Sequence, residues 1–104
     1  MKTLFALLAV ALLVAGCVQD SVEARAKAAC QDLCLTAKGT GRNLADGPCL
    51  GRLSSGLEDW VCDVAHDPRQ SVDNLAENQC EAFSTGAAHH FIEVDETCSA
   101  FRAQ

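Results

Sequence analysis

Residues 59–66 read Asp-Trp-Val-Cys-Asp-Val-Ala-His and carry the clearest strand pattern in the chain. The side chains of a β-strand point alternately to its two faces. One face therefore carries Trp60, Cys62, Val64 and His66, and the other carries Val61, Asp63 and Ala65. Aromatic and β-branched residues favour a strand over a helix. The segment therefore predicts a β-strand with two distinct faces.

The neighbouring segments predict a β-hairpin before this strand and another strand after it. Residues 49–53 form a short extended piece, and Ser54-Ser55-Gly56 has the composition of a hairpin turn. Residues 89–95 read His-His-Phe-Ile-Glu-Val-Asp and repeat the strand pattern, with Ile92 and Val94 on one face.

Two helix-start signals complete the predicted order of elements. Asp20 and Glu23 have the spacing of a capping box, and the apolar stripe that follows ends near Lys38-Gly39. A second capping-box spacing, at residues 74–77, predicts a short helix that ends before Gly86. The fold class predicted is α+β: a small disulfide-stabilised domain with an N-terminal helix, a β-hairpin, a short helix and a final strand.

The first sixteen residues predict a signal peptide. Lys2 supplies a positive charge, and residues 4–16 form an uncharged run of apolar and small side chains. Crossing a bilayer core takes about 20 such residues, so this run is too short. Its length fits the apolar region of a signal peptide.

The end of this run, Val14-Ala15-Gly16-Cys17, resembles the lipobox of prokaryotic lipoprotein precursors. In that family a diacylglyceryl group is attached to the cysteine thiol, and the precursor is cut just before the cysteine. The resemblance implies that Cys17 is lipidated and becomes the new N-terminus. Val14 stands where leucine is commoner in that family. The resemblance covers residues 1–17 and does not extend to the cysteine-rich body.

The predicted organisation follows from this resemblance. Residues 1–16 are the signal peptide, residues 17–27 hold the lipid anchor and the start of the first helix, and residues 28–104 form a six-cysteine α+β domain. Ordinary signal-peptide cleavage after Ala24, where small residues have suitable spacing, is the alternative.

The cysteine count is consistent with the lipobox. The chain has seven cysteines, and an odd number in an exported protein requires an explanation. A lipid on one leaves six that can all pair: Cys30, Cys34, Cys49, Cys62, Cys80 and Cys98. Small exported domains often supplement a limited core with disulfides. We therefore expect three disulfides.

The spacing of the cysteines limits how they pair. Cys30 and Cys34 lie one helical turn apart, where side chains do not converge well enough to bridge. We expect them to pair with Cys49 and Cys62, in either order, and the remaining pair to join Cys80 and Cys98.

The charge and aromatic content exclude some partners. The net charge is −6, which makes the chain a poor candidate for binding nucleic acid. The chain has one tryptophan and no tyrosine, which argues against an aromatic platform for nucleic-acid bases or sugars.

Three histidines, His66, His89 and His90, are the candidate metal ligands. His66 and His90 would come together only if their strands were neighbours with suitable register. The chain has no C-x-x-C pair, and cysteines in an oxidising compartment form disulfides rather than bind metal. We therefore predict no metal and no cofactor.

The chain offers no clear catalytic group. No serine lies in a G-x-S-x-G context. Asp63 and His66 are close in sequence, but strand alternation sends their side chains to opposite faces. Paired carboxylates such as Glu93 and Asp95 are simply explained as solvated charges. We therefore predict no catalytic residue.

The sequence thus predicts an exported envelope lipoprotein of the cell membrane or outer membrane, facing the extracytoplasmic side. Its contact with the membrane is the lipid anchor, and an envelope protein is the expected kind of partner. The first predicted function is a small binding or structural module, with Trp60–His66 and His89-His90 as the first contact surfaces. The alternative is a small histidine-dependent metal-binding or hydrolytic protein.

Overall fold

The structure, a computed structural model, describes residues 21–104. The predicted signal peptide, the lipobox and Cys17 lie outside the described residues, as does the predicted helix cap Asp20. Within the described part of the chain, the predicted α+β class is confirmed.

The long helix α1 (Val22–Gly39) begins at Ser21, whose side chain accepts a hydrogen bond from the Ala24 N–H. A hydroxyl in this position satisfies one of the helix N–H groups that have no partner within the helix. Glu23 in the first turn and Lys38 in the last suit the helix dipole. The sequence pattern therefore located both ends of this helix to within one or two residues.

Four strands form one sheet in the order β1-β2-β3-β4, namely β1 (Cys49–Arg52), β2 (Trp60–Val64), β3 (His90–Val94) and β4 (Ala100–Ala103). The predicted hairpin is present as the antiparallel pair β1–β2. Strands β2 and β3 are parallel, and β3 and β4 are antiparallel. Strand β4 was not predicted from the sequence.

The crossover between the parallel strands differs from the prediction. It contains two short 3-10 turns, Ser71–Asn74 and Ala76–Asn78, followed by the four-residue helix α2 (Glu81–Ser84). The predicted helix start at residues 74–77 is therefore wrong. Asp73 determines the backbone here, because its buried carboxylate accepts the Gln70 N–H at 2.8 Å and closes a tight turn instead of continuing a helix.

The sheet has two different faces. Helix α1 packs on one face, where it buries Trp60, Cys62, Val64, Ile92 and Val94. The opposite face, which we call the far face, carries a smaller cluster around Val61, Cys80 and Ala88. The predicted alternation of β2 and β3 is therefore confirmed.

Three disulfides link the six described cysteines. Cys30–Cys62 joins α1 to β2 and is one of the pairs that the sequence left open. The other two are Cys34–Cys98 and Cys49–Cys80, so the predicted Cys80–Cys98 and Cys34–Cys49 pairs are wrong. The predicted pairs fail because the sheet separates the cysteines: Cys34 and Cys98 lie on the α1 side, whereas Cys80 lies on the far face.

No helix within residues 21–104 combines the length and apolar character needed to cross a bilayer. The three disulfides are compatible with an extracytoplasmic location.

Candidate functional site

One row of side chains crosses all four strands on the far face. Cys49 is paired with Asp63, Asp63 with Glu93, and Glu93 with Arg102 in the register of the sheet. We call these four residues the polar row. Residues paired across neighbouring strands project from the same face, so a cystine, two carboxyl groups and a guanidinium lie side by side.

A cavity of about 210 Å³ opens above the polar row. Its floor includes Val61, Asp63 and Glu93, and Arg69 from the crossover closes one side. Phe83 of α2 and Phe91 of β3 form an aromatic wall, with ring centroids 5.1 Å apart and an edge-to-face angle of 88°. The cavity is smaller than the roughly 300–1,000 Å³ typical of sites for drug-sized ligands, so it suits a fragment-sized molecule or group.

Glu93 is buried but its charge is compensated. Only 4% of the residue is exposed, and its Oε2 lies 3.0 Å from Arg69 Nη1. Its Oε1 lies 3.5 Å from Arg102 Nη1. Arg69 is itself held by Asn74 Oδ1 at 2.7 Å and the Asp73 carbonyl at 3.1 Å. The prediction that Glu93 is a solvated charge is therefore wrong.

Asp63 has no such compensation. Its Oδ1 is buried without a hydrogen-bond partner among the described residues. Burial raises the pKa of Asp63 to about 8; the negative charges of Glu93 and Asp73 add to this shift and Arg69 opposes it. At neutral pH Asp63 is therefore a neutral carboxylic acid that can donate one hydrogen bond.

One group of potential metal ligands is close together within residues 21–104: Cys49, Asp63 and Cys80, whose ligand atoms all lie within 4.8 Å of one another. The two sulfurs form a disulfide, and a metal requires thiolates. In the oxidised chain this group therefore does not make a metal site.

His66 lies beyond the end of β2, at a second cleft lined in part by Asp95, Glu96 and Thr97. Its Nδ1 lies 2.9 Å from Asp73 Oδ1, and its Nε2 lies 3.2 Å from Glu96 Oε1. Burial raises the pKa of Asp73, but hydrogen bonds from Gln70 and His66 outweigh this effect and hold the pKa below its ordinary value. Both ring nitrogens of His66 have carboxylate partners, which leaves neither free for a metal ion.

The other two histidines lie at the opposite end of β2 and β3. Trp60 is paired with His90 in the parallel register, and their rings stack with centroids 4.5 Å apart. His89 Nδ1 lies 2.7 Å from Asp59 Oδ1. The side-chain hydrogen bond from His89 is the main reason that the pKa of Asp59 is lowered.

The structure therefore does not bring His66 and His90 together. Residue 66 is six positions beyond Trp60, which corresponds to about 20 Å of extended strand. Asp63 and His66 do not form a pair either, since His66 contacts Asp73 and Asp63 faces the cavity.

Sequence reasoning missed the cavity residues Arg69, Glu93 and Arg102. A signal for Glu93 was present, because Ile92 and Val94 face α1 and the residue between them must face the other way. Nothing local to the sequence indicated that β4 and the crossover would bring two arginines to that residue.

Comparison of the chain with protein-family models, with curated proteins and with solved structures finds no match. The functional argument therefore depends on the geometry of the chain itself.

Proposed function

We propose that the chain is an exported binding module, held at the membrane by a lipid on Cys17, whose ligand occupies the cavity above the polar row. The ligand that fits is a small amphipathic molecule with an apolar body and a carboxylate group.

Two features support export and anchoring. The three disulfides are compatible with an oxidising compartment. They use all six cysteines outside the lipobox, which leaves Cys17 as the odd one. The lipid rather than the acidic protein surface then supplies the membrane affinity.

The observation that carries the binding proposal is the imbalance of charge in the cavity. Arg69 and Arg102 contribute two positive charges against the single negative charge of Glu93, because Asp63 is neutral at pH 7. Arg69 donates three hydrogen bonds, to Asn74, Glu93 and the Asp73 carbonyl. The Arg102 side chain is 56% exposed, and its one ion pair within residues 21–104 is the 3.5 Å contact with Glu93. Arg102 is therefore the group that can receive an anion.

The aromatic wall supplies the complementary apolar surface. Phe83 is 39% exposed although it is a large hydrophobic residue, and its ring packs on Phe91 at the cavity. A ligand that covers this ring removes apolar area from water, and its carboxylate can reach Arg102. The neutral carboxyl group of Asp63 can donate a hydrogen bond to the same carboxylate.

The test of binding uses three probes that share a phenylpropyl body: 3-phenylpropionate, 3-phenylpropylamine and 3-phenylpropanol. The full chain is titrated with each probe at millimolar concentrations and followed by backbone amide NMR. We expect the acid to shift the amides of residues 91–93 and 102 and to bind best. Equal or tighter binding of the amine or the alcohol, or shifts elsewhere only, would contradict the proposal.

Two controls separate the cavity from general hydrophobic adsorption. Arg102→Gln should weaken binding of the acid about tenfold, whereas Arg25→Gln, at an exposed position of α1, should leave it unchanged. Binding of the acid should also weaken as the pH rises past about 8, because ionised Asp63 repels the carboxylate.

The test of anchoring is a fractionation of bacterial cells that express the full chain. The wild-type protein should be recovered with the membranes, and the Cys17→Ser variant should not. Equal recovery of the two in the membrane fraction would contradict the lipid anchor.

A further inference from the structure

The Cys49–Cys80 disulfide differs from the other two in its surroundings. Cys30 and Cys62 are both 0% exposed, and Cys34 and Cys98 are 0% and 5% exposed beneath α1. Cys49, in contrast, is only partly buried in the edge strand β1, and Cys80, although only 6% exposed, lines the far-face cavity. A molecule that enters the cavity therefore comes next to Cys80.

A hydrogen-bond donor lies beside one of the two sulfurs of this disulfide. The Gly51 N–H donates a hydrogen bond to Cys49 Sγ at 3.2 Å, which suits a sulfur that gains negative charge. The Cys62 carbonyl lies near both sulfurs, 3.6 Å from Cys80 Sγ and 3.8 Å from Cys49 Sγ, where a protonated thiol could donate. The reduced pair would thus have a hydrogen-bond donor beside Cys49 and an acceptor that either thiol can reach.

A carboxyl group stands beside both sulfurs. Asp63 is the strand partner of Cys49, and a carboxyl oxygen of Asp63 lies within 4.8 Å of both sulfur atoms. No other described residue hydrogen-bonds to the buried Asp63 Oδ1. The carboxyl group is therefore free to exchange a proton with a sulfur.

We propose that the Cys49–Cys80 disulfide undergoes thiol–disulfide exchange with a dithiol that reaches it through the cavity, with Asp63 as the proton donor. One thiolate of the dithiol attacks Cys80 Sγ, and the Cys49–Cys80 bond breaks. Cys49 Sγ leaves with the electron pair and takes the Asp63 proton. The second thiol of the dithiol, as its thiolate, then attacks the sulfur bound to Cys80, and the Cys80 thiolate leaves and is protonated by solvent. The dithiol ends as a disulfide, and the chain ends with two thiols.

The protonation state of Asp63 supports this assignment. Burial raises the pKa of Asp63 to about 8, so the proton is in place at neutral pH. An ordinary exposed carboxyl group, ionised at that pH, could not supply it. The inference does not depend on the lipid anchor or on the carboxylate ligand of the proposed function.

The test treats the full oxidised chain with dithiothreitol under native conditions and quenches samples with iodoacetamide. Peptide mapping by mass spectrometry then identifies which cysteines have been alkylated at each time. We expect Cys49 and Cys80 to be alkylated at least about tenfold faster than the other four, while circular dichroism shows a folded chain. Opening of all three disulfides at one rate, or of either pair beneath α1 first, would overturn the proposal.

A separate experiment identifies which of the two sulfurs is attacked. Glutathione, a monothiol, should form its mixed disulfide on Cys80, because Cys80 and not Cys49 lines the cavity. An adduct on Cys49 alone would contradict the proposed order of steps.

The role of Asp63 is tested by rates at constant thiolate concentration. Asp63→Asn should slow opening of Cys49–Cys80 about tenfold at pH 6–7, and this difference should disappear as the pH rises past about 8. Asp46→Asn, an exposed loop change, should have no effect. If Asp63→Asn matches the wild type at every pH, Asp63 is not the proton donor. If the chain undergoes the exchange but does not bind 3-phenylpropionate, this inference holds and the proposed function fails. If the chain binds 3-phenylpropionate but does not undergo the exchange, the proposed function holds and this inference fails.

Discussion

Asp63 and Glu93 are paired in the parallel register of β2 and β3 and face the same cavity, yet they differ in charge compensation. Glu93 lies 3.0 Å from Arg69 and 3.5 Å from Arg102, whereas Asp63 Oδ1 has no partner among the described residues. Two charged carboxylates side by side in a buried site repel each other, so one is ionised and the other is neutral at pH 7. The difference in protonation between Asp63 and Glu93 can be tested by its effect on the stability of the fold.

Replacing Asp63 by asparagine should remove a pH dependence from the stability of the fold. The pKa of Asp63 is about 8 in the folded chain against an ordinary value of 3.8, so between these values the folded chain holds a proton that the unfolded chain lacks. The free energy of unfolding of the wild type therefore falls as the pH rises, by up to about 1.4 kcal/mol per pH unit. Urea unfolding of the two proteins should show that the free energy of unfolding of Asp63→Asn rises relative to that of the wild type between pH 5 and pH 7.

Asp95 provides a control, because its pKa is shifted in the opposite direction to that of Asp63. A hydrogen bond from the Thr97 hydroxyl is the main reason that the pKa of Asp95 is lowered. The ionised Asp95 therefore stabilises the fold at every pH above its ordinary pKa, and this stabilisation is lost only in acid. Asp95→Asn should be less stable than the wild type by a constant amount from pH 5 to pH 7. A pH-independent difference for Asp63→Asn as well would contradict the assigned charge state.

Replacing Arg69 by methionine should destabilise the fold by about 2–3 kcal/mol, because buried Glu93 then keeps only its 3.5 Å contact with Arg102. The free energy of unfolding from urea titration measures this loss. Adding Glu93→Gln to Arg69→Met should restore part of it, since the uncompensated charge is removed. Lys27→Met breaks the exposed 3.9 Å pair with Glu23 and should cost less than about 1 kcal/mol. Equal losses for Arg69→Met and Lys27→Met would show that the buried pair is unimportant.

Replacing Gly47 by alanine should destabilise the fold by more than about 2 kcal/mol. A Cβ atom at this position would collide with Asp73 Oδ1, which belongs to a residue that is only 2% exposed and cannot move aside easily. Gly41→Ala is the matched control, because Gly41 also has a positive φ of +85° but open space around its Cβ position. It should cost about 1 kcal/mol, for the backbone alone. Similar thermal unfolding temperatures for both variants would contradict the packing of Gly47 against Asp73.

The parts of the fold that could be predicted from the sequence depend on short-range patterns. Residues 60–64 alternate between the two faces of the sheet because successive side chains of any β-strand do so. The predicted hairpin turn at Ser54-Ser55-Gly56 lies between β1 and β2. Helix α1 was recognisable from its apolar stripe and its Lys38-Gly39 end, which are local features, although its N-cap is Ser21 and not the predicted Asp20.

The remaining features depend on long-range pairing. The register that places Asp63 beside Glu93 is set by a parallel crossover, which no local pattern specifies. Strand β4 has only four residues, and its pairing with β3 brings Arg102 to the site. The disulfide partners follow from which face each cysteine occupies, so Cys49–Cys80 could be recognised only after the far face was known.

The measurement that tests the account most directly is the intact mass of the mature protein, purified from bacterial membranes and alkylated with and without prior reduction. We predict a chain that starts at Cys17 and carries added acyl mass, with six cysteines that are alkylated only after reduction. A chain that starts beyond Cys17, or cysteines that are alkylated without reduction, would contradict the proposal of a lipid-anchored, disulfide-stabilised binding module.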